Sequence, residues 1–245
     1  MGVFLILLLL GLVQNVFAEP LSGLVVVLDA GHGGKDPGAH AVFGGNEVFE
    51  SEYVYDVAKR IERDAEYLGV KVFMTTRKTP PANLIRTVPP YQILPRDGSE
   101  SFSLSKKIAK AGRWGLEQRV DYANEILLEY PRAEIVFLSI HFDAVPYENI
   151  YGMRIITPNE HIRLPFLLAE ACRKRLRQAL PIVISGDRNH GMRNLYILRE
   201  GYNNISERVL IELGNFNNPG DVWRIRNPQV RDDYAACIIE ALKKL

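Results

Sequence analysis

Five polar side chains stand where apolar runs of this sequence come to an end. Asp29 and His32 close "GLVVVLDAGH", Ser139 and His141 close "AEIVFLSIH", and Glu212 interrupts "RVLIELG". If those runs are parallel strands, their carboxyl ends form one sheet edge, where ligands of open α/β folds collect. Two imidazoles at such an edge suit a metal held by nitrogen, and zinc fits that donor set best. A catalytic zinc takes three protein ligands and keeps one position open. The third ligand must come from Glu47, Glu50 or Glu52. Glu52 shares its helical spacing with Asp56, Lys59, Arg60 and Arg63, a polar face predicted to be solvated. Glu50 lines up with Val54, Val57 and Ile61, the face that packs inward, where a carboxylate needs a compensating partner. Glu47 lies ahead of the helix and stays in reserve. The predicted metal set is His32, Glu50 and His141. Glu212 reads either as a paired structural carboxylate or as a general base beside a metal-activated water.

The other polar residues of this region divide more simply. "GHGGKDPG" is not a phosphate loop, because Asp29 stands at the first glycine position and Asp36 follows Lys35 where Ser or Thr is needed. Its glycines let the backbone turn tightly and bring His32 close to a bound group. His40 and His161 read as surface residues. His190, in "DRNHGMRNLYILR", precedes an apolar run and is a candidate for touching either a residue that holds the metal or the substrate.

The elements that would position these groups follow from periodicity. Nearly continuous apolar runs at 23–30, 69–77, 133–141 and 208–214 predict strands covered on both faces, with weaker strands at 151–158 and 193–199. Helical spacing occupies 50–67, 114–129, 164–180 and 228–244. This alternation predicts an α/β fold, a mostly parallel twisted sheet of about six strands with helices on both faces. Residues 79–113 break the rhythm with five prolines between Pro80 and Pro95, then a helix-like "SLSKKIAKAG". A loop of that length is functional or mobile more often than not.

The chain of 245 residues is ordinary in composition, and its net charge of +1 gives no basic footprint for nucleic acid. The cluster "RKRLR" at 173–177 reads as a solvated helix face. Residues 1–18 carry an apolar stretch, Val3 to Val13, too short to span a bilayer and suited to a signal peptide cleaved before Glu19. The expectation is an exported protein with no transmembrane anchor, acting in the periplasm or outside the cell. Export permits a disulfide. Cys172 and Cys237 both lie in apolar helical patterns, as buried thiols or as one bridge.

The motifs "VVLDAGHGGKDPGA", then Glu50, "VFMTTR", "LEQRVDYAN", "VFLSIHFDA" and "VLIELGNFNNPGD" occur in the order found in the zinc-dependent N-acetylmuramoyl-L-alanine amidases, the amidase type 3 family of bacterial cell-wall enzymes, which the chain resembles over 24–78 and 114–245. The resemblance implies one zinc ion on His32, Glu50 and His141, Glu212 as the catalytic glutamate, and Arg119 and Asn124 as structural residues of a helix beside the site. It implies a single catalytic domain over 19–245 that cleaves the amide between N-acetylmuramic acid and L-alanine in peptidoglycan or muropeptides. Wall remodelling, daughter-cell separation and recycling are the roles such an activity serves. Ser51 stands where the family has Lys, Asp143 where it has Asn, and Asn215 where it has Phe; the His32–Glu50 spacing is longer than usual, which keeps Glu47 open. Residues 79–113 have no counterpart in the resemblance, so targeting falls to the catalytic domain, that excursion or a partner protein. The rival readings are a zinc peptidase acting within the stem peptide and a non-catalytic peptidoglycan-binding regulator.

Overall fold

The computed structural model describes residues 21, 23–80, 84–158, 161–176, 180–186 and 195–245; the predicted signal peptide and His190 lie outside these. The long apolar runs form strands β1 (Leu24–Ala30), β4 (Lys71–Met74), β7 (Glu134–Asp143) and β10 (Glu207–Asn215). With β8 (Met153–Thr157) and β9 (Ile182–Gly186) they make one six-stranded sheet in the order β4-β1-β7-β10-β8-β9. Pairing is parallel except between β8 and β10. All seven residues of β1 are buried, as a central strand covered on both faces requires.

The two faces are covered unequally. Helices α1 (Glu50–Tyr67), α3 (Leu164–Arg175) and α5 (Pro228–Leu242) pack on one, against Val26 and Leu28 of β1 and Leu138 and Ile140 of β7. The opposite face holds a smaller cluster under α2 (Arg113–Glu129), built on Val25, Val27, Ile135 and Phe137. Side chains alternate along a strand. Asp29, Ser139, His141 and Glu212 therefore share the face of Val27, Phe137 and Leu210, the thinly covered one.

Three expectations are corrected. First, residues 195–199 are not a strand: Tyr196–Leu198 form a 3-10 turn whose carbonyls are taken by side chains, Asn203 Nδ2 to Ile197 O at 2.9 Å and Arg208 Nε to Leu198 O at 2.8 Å. The sheet edge goes instead to β9. Second, "SLSKKIAKAG" is not helical. Strand β5 (Thr76–Lys78) pairs antiparallel with β6 (Glu100–Phe102), and the chain turns back so that Phe102 N–H donates to Lys107 O and Ala109 N–H to Glu100 O. Lys106 sits at φ 60°, which interrupts any helix there.

Third, the polar face of α1 is not solvated. Glu52, Asp56, Lys59 and Arg60 are buried, and only Arg63 of that row stays exposed. The excursion covers them. Arg86 donates to Glu52 Oε2 at 2.6 Å, its backbone N–H donates to Asp56 Oδ1 at 2.6 Å, and its carbonyl accepts from Arg60 at 2.6 Å and Arg231 at 2.9 Å. Buried charge is tolerated here because each group is paired. A short helix that periodicity did not separate, α4 (Pro219–Arg226), is capped by Asn218, whose side chain accepts from Asp221 N–H at 2.9 Å.

Cys172 on α3 and Cys237 on α5 are bonded to each other, which settles the open alternative in favour of a bridge. The bond closes a segment with a sequence separation of 65 residues, so the unfolded chain loses considerable freedom. The double variant Cys172→Ala/Cys237→Ala is expected to be less stable by about 2–4 kcal/mol in denaturant unfolding without reductant. Denatured, unreduced wild type should show no titratable thiol.

Candidate active site

His32, Glu50 and His141 meet at the carboxyl ends of β1 and β7. The chain leaves β1 through Gly31 and His32, crosses a hairpin of β2 (His40–Phe43) and β3 (Asn46–Phe49), and enters α1 at Glu50. Glu50 thus occupies the first helical turn, where the helix dipole favours a carboxylate. Its Oε2 lies 3.1 Å from His32 Nε2 and accepts Ala39 N–H at 2.8 Å. Its Oε1 lies 3.0 Å from His141 Nδ1 and accepts Phe142 N–H at 2.9 Å. One donor atom from each of the three residues falls within 4.8 Å of the others, the spacing at which they could hold a metal ion. Glu47 is absent from this group: it faces Val42 across the hairpin and is exposed.

The glycine-rich loop has a packing reason. A Cβ at Gly31 would sit 2.4 Å from the His141 ring, and one at Gly38 would sit 2.6 Å from Glu50 Oε2 and 2.7 Å from His32. The space those side chains would fill belongs to the site residues. His32 itself adopts φ 64°, a left-handed conformation that costs a non-glycine residue about 1–3 kcal/mol. Its surroundings hold it there. Asp36 Oδ2 meets His32 Nδ1 at 2.9 Å, Arg119 Nη2 donates to its carbonyl at 2.5 Å, and Glu100 Oε2 accepts the N–H of Gly34 at 2.8 Å. Arg96 donates to Gly34 O at 2.6 Å and Ala109 O accepts Lys35 N–H at 2.7 Å. Excursion residues 96–109 thus grip the loop that carries His32.

Electrostatics follow from these contacts. Burial works against ionised Glu50, but the charge of His32 and the hydrogen bonds to both imidazoles overcome it and hold the carboxyl well below the usual range. Burial likewise opposes a charged His32, yet Glu50 and Asp36 raise it to about 10. Glu212 goes the other way. It lies opposite His141 on one side and Arg154 on the other. Burial pushes its carboxyl well above the ordinary value, with Glu50 and Asp143 adding repulsion that His32 and Arg154 only partly offset. Its Oε2 is sealed from solvent and has no hydrogen-bond partner among the described residues. Asp143 is engaged by Arg154 at 2.8 Å.

The remaining candidates are placed apart. His40 and His161 are exposed, as expected. Asp29 and Ser139 belong to a buried network beneath the site: Asp29 accepts from Arg119, from Thr75 Oγ1 at 2.5 Å and from Ser139 Oγ at 2.6 Å. Asn124 docks the far side of α2, donating to Tyr202 O at 2.6 Å and accepting Asn204 N–H at 3.0 Å. Sequence reasoning missed Asp36 and Glu100. Asp36 follows His32 by four residues in a loop with no periodicity to mark it, and Glu100 reaches the loop from 66 residues beyond Gly34. A cleft of about 430 Å³ opens beside His32 and His141 on the α2 face, while a larger groove of about 870 Å³ along α3 and α5 touches none of these residues.

Two imidazoles and a carboxylate gathered at parallel strand ends, with a further carboxylate facing them from the next strand, are the parts that a metal-assisted hydrolase uses. The N-acetylmuramoyl-L-alanine amidase family model matches residues 26–244, and the chain belongs to that family of enzymes. It is 25% identical over 226 residues to the germination-specific N-acetylmuramoyl-L-alanine amidase of Bacillus subtilis (strain 168), covering 91% of this chain and 80% of that protein. It is 26% identical over 228 residues to the probable cell wall amidase LytH of Staphylococcus aureus, covering 92% of this chain but only 59% of that one. Among solved structures, the fold is similar to the amidase AmiC2 of Nostoc punctiforme, with TM-score 0.59, 22% identity, and 91% and 96% of the two chains covered. It is also similar to the CwlD amidase of Clostridioides difficile, solved in complex with the GerS lipoprotein, with TM-score 0.58, 20% identity, and 90% and 96% covered.

The Asp29 network yields a stability prediction with a definite sign. Burial raises the Asp29 pKa, but Arg119, His141, Ser139 and Thr75 together bring it below 3.8, its ordinary value. A carboxylate depressed on folding stabilises above its unfolded pKa, and that contribution is lost as pH falls below about 4. Asp29→Asn leaves Arg119 buried without its charge partner and is expected to cost about 3–5 kcal/mol at pH 7. In denaturant unfolding the gap to wild type should narrow as the pH is lowered below 4.

Proposed function

We propose that this chain is a zinc-dependent N-acetylmuramoyl-L-alanine amidase that acts on the bacterial cell wall, with His32, Glu50 and His141 as the metal ligands and Glu212 as the catalytic acid-base. The observation that carries the reading is Glu212 Oε2, a buried acceptor with no hydrogen-bond partner among the described residues, beside three converging donor groups. Such an atom is costly unless a cation or a reacting proton serves it. The donor chemistry also fits: two imidazole nitrogens and a carboxylate oxygen make the three-ligand set of a catalytic zinc.

Zinc at this position supplies an electrophile for the scissile carbonyl and a water of lowered pKa. The chain does the rest. Glu212 takes a proton from the attacking water and passes it to the leaving amine of L-alanine, so one carboxyl serves as base and then as acid. Asp36 fixes the tautomer and direction of His32, as an outer hydrogen-bond partner does for a ligating imidazole. The cleft beside His32 and His141 gives the substrate its approach. We further propose that residues 1–18 are removed on export, that 19–245 act as one catalytic domain, and that the site of action is the periplasm or cell exterior. Among the described residues no helix is long and apolar enough to cross a membrane. The bridge between Cys172 and Cys237 suits an oxidising compartment.

Purified peptidoglycan digested with wild type should release intact stem peptides with a free L-alanine amino terminus; fragments cut within the peptide would point to a peptidase. Glu212→Gln is expected to keep its zinc and lose hydrolysis by about 10²- to 10⁴-fold. His32→Ala and His141→Ala should lose both. Normal release of stem peptides by Glu212→Gln would overturn its assignment.

A further inference from the structure

The cleft beside His32 and His141 has a wall that the metal group does not explain. Lys110, Gly112 and Leu116 line it on one side and Tyr196 on the other. Lys110 comes from the end of the excursion, and its position is set by close packing: a Cβ at Gly115 would meet Lys110 O at 2.1 Å. The α2 helix therefore seats directly on the backbone of this lysine.

The rim above is cationic and held in place by aromatic rings. Lys110 Nζ stands 4.7 Å from the centre of the Trp114 ring and Lys107 Nζ 5.6 Å from it. Trp114 is anchored edge-on against buried Phe102, with ring centres 5.4 Å apart. Cation–π contacts of this kind restrict a lysine without neutralising it. The acids of this region are already committed: Asp36 to His32, Glu100 to Lys78 and Gly34, and Glu117 to Arg113. Among the described residues neither Lys107 nor Lys110 forms a salt bridge. Lys110 thus lines the cleft with Lys107 beside it on the same ring, and both side chains are exposed.

We propose that Lys110, with Lys107 beside it, receives a free carboxylate on the peptide side of the scissile amide, so that the rim formed by residues 106–113 selects anionic stem peptides. The inference rests on the amidase reading of the site and adds the substrate feature that it prefers. Lysine suits this task as a flexible point charge that tolerates several carboxylate positions, where a fixed arginine fork would demand one. The surface setting limits the gain to what a partly solvated ion pair supplies.

The test uses two muropeptides that differ only in whether the residue after L-alanine carries a free carboxylate or a carboxamide. Wild type should favour the carboxylate in kcat/KM by about five- to tenfold. Lys110→Met keeps the aliphatic stem and should bring that ratio close to one, with Lys107→Met/Lys110→Met closer still. Lys110→Glu should invert it. The same ratio in wild type and all three variants overturns the proposal, as does a fall in both rates that leaves the ratio at the wild-type value. Hydrolysis of neither muropeptide by wild type, on the other hand, overturns the amidase reading and the proposal with it.

Discussion

The structure turns on a carboxylate placed where a carboxylate is hardest to keep. Glu50 is buried at the first turn of α1, and beyond the dipole of that helix its charge is stabilised by groups that converge from elsewhere: two backbone N–H groups, from Ala39 and Phe142, and two imidazoles, from His32 and His141. None of these partners is on its own helix. The register of β7 against β1, the length of the hairpin between β1 and α1 and the seating of α1 must all be correct at once. In return, the carboxylate ties the end of β1, the end of β7 and the start of α1 into one unit. Gly31 and Gly38 are the chain's concession to it, since any side chain there would occupy the space of His141, His32 or Glu50 itself.

The unequal covering of the sheet explains why this unit is accessible. Three helices and the larger hydrophobic cluster support the strands from one side, and the disulfide ties two of those helices together. On the other side a single long helix and a 3-10 turn leave room for a cleft. Asp29 and Arg119 form a buried charged pair at its base, linking α2 to the end of β1. The excursion completes the arrangement from two directions. Its Arg86 docks on the polar row of α1, and its Glu100 and Arg96 hold the backbone beside His32. A loop that carries the strained φ of His32 needs such support, because an unsupported residue would relax out of the left-handed region.

Much of this was legible in the residues. Nearly continuous apolar runs mark β1, β7 and β10 in the sequence, and the polar groups at their ends had to share one edge. The helical phase of Glu50 against Val54, Val57 and Ile61 placed it inward, and the structure puts it between the histidines while Glu47 points to solvent. What could not be read depends on partners distant in sequence. Glu52, Asp56 and Arg60 look like a solvated face until Arg86 and Arg231 arrive to pair with them. The choice between 182–186 and 193–199 as the edge strand is made by β8, which pairs with one short apolar run, while side chains of Asn203 and Arg208 take the carbonyls of the other. The segment 103–112 has helical composition but turns back along β6, where it forms a single bridge to Ser101 and hydrogen bonds to Glu100 and Phe102 rather than a helix.

The central claim is that Glu50, through its position between His32 and His141, completes a metal site. The direct measurement is the zinc content of purified wild type, Glu50→Ala and Glu47→Ala, determined by elemental analysis after dialysis against trace zinc. The account predicts one zinc per chain in wild type and in Glu47→Ala, with none retained by Glu50→Ala while it remains folded by circular dichroism. Full zinc retention by Glu50→Ala, or its loss from Glu47→Ala, would contradict it.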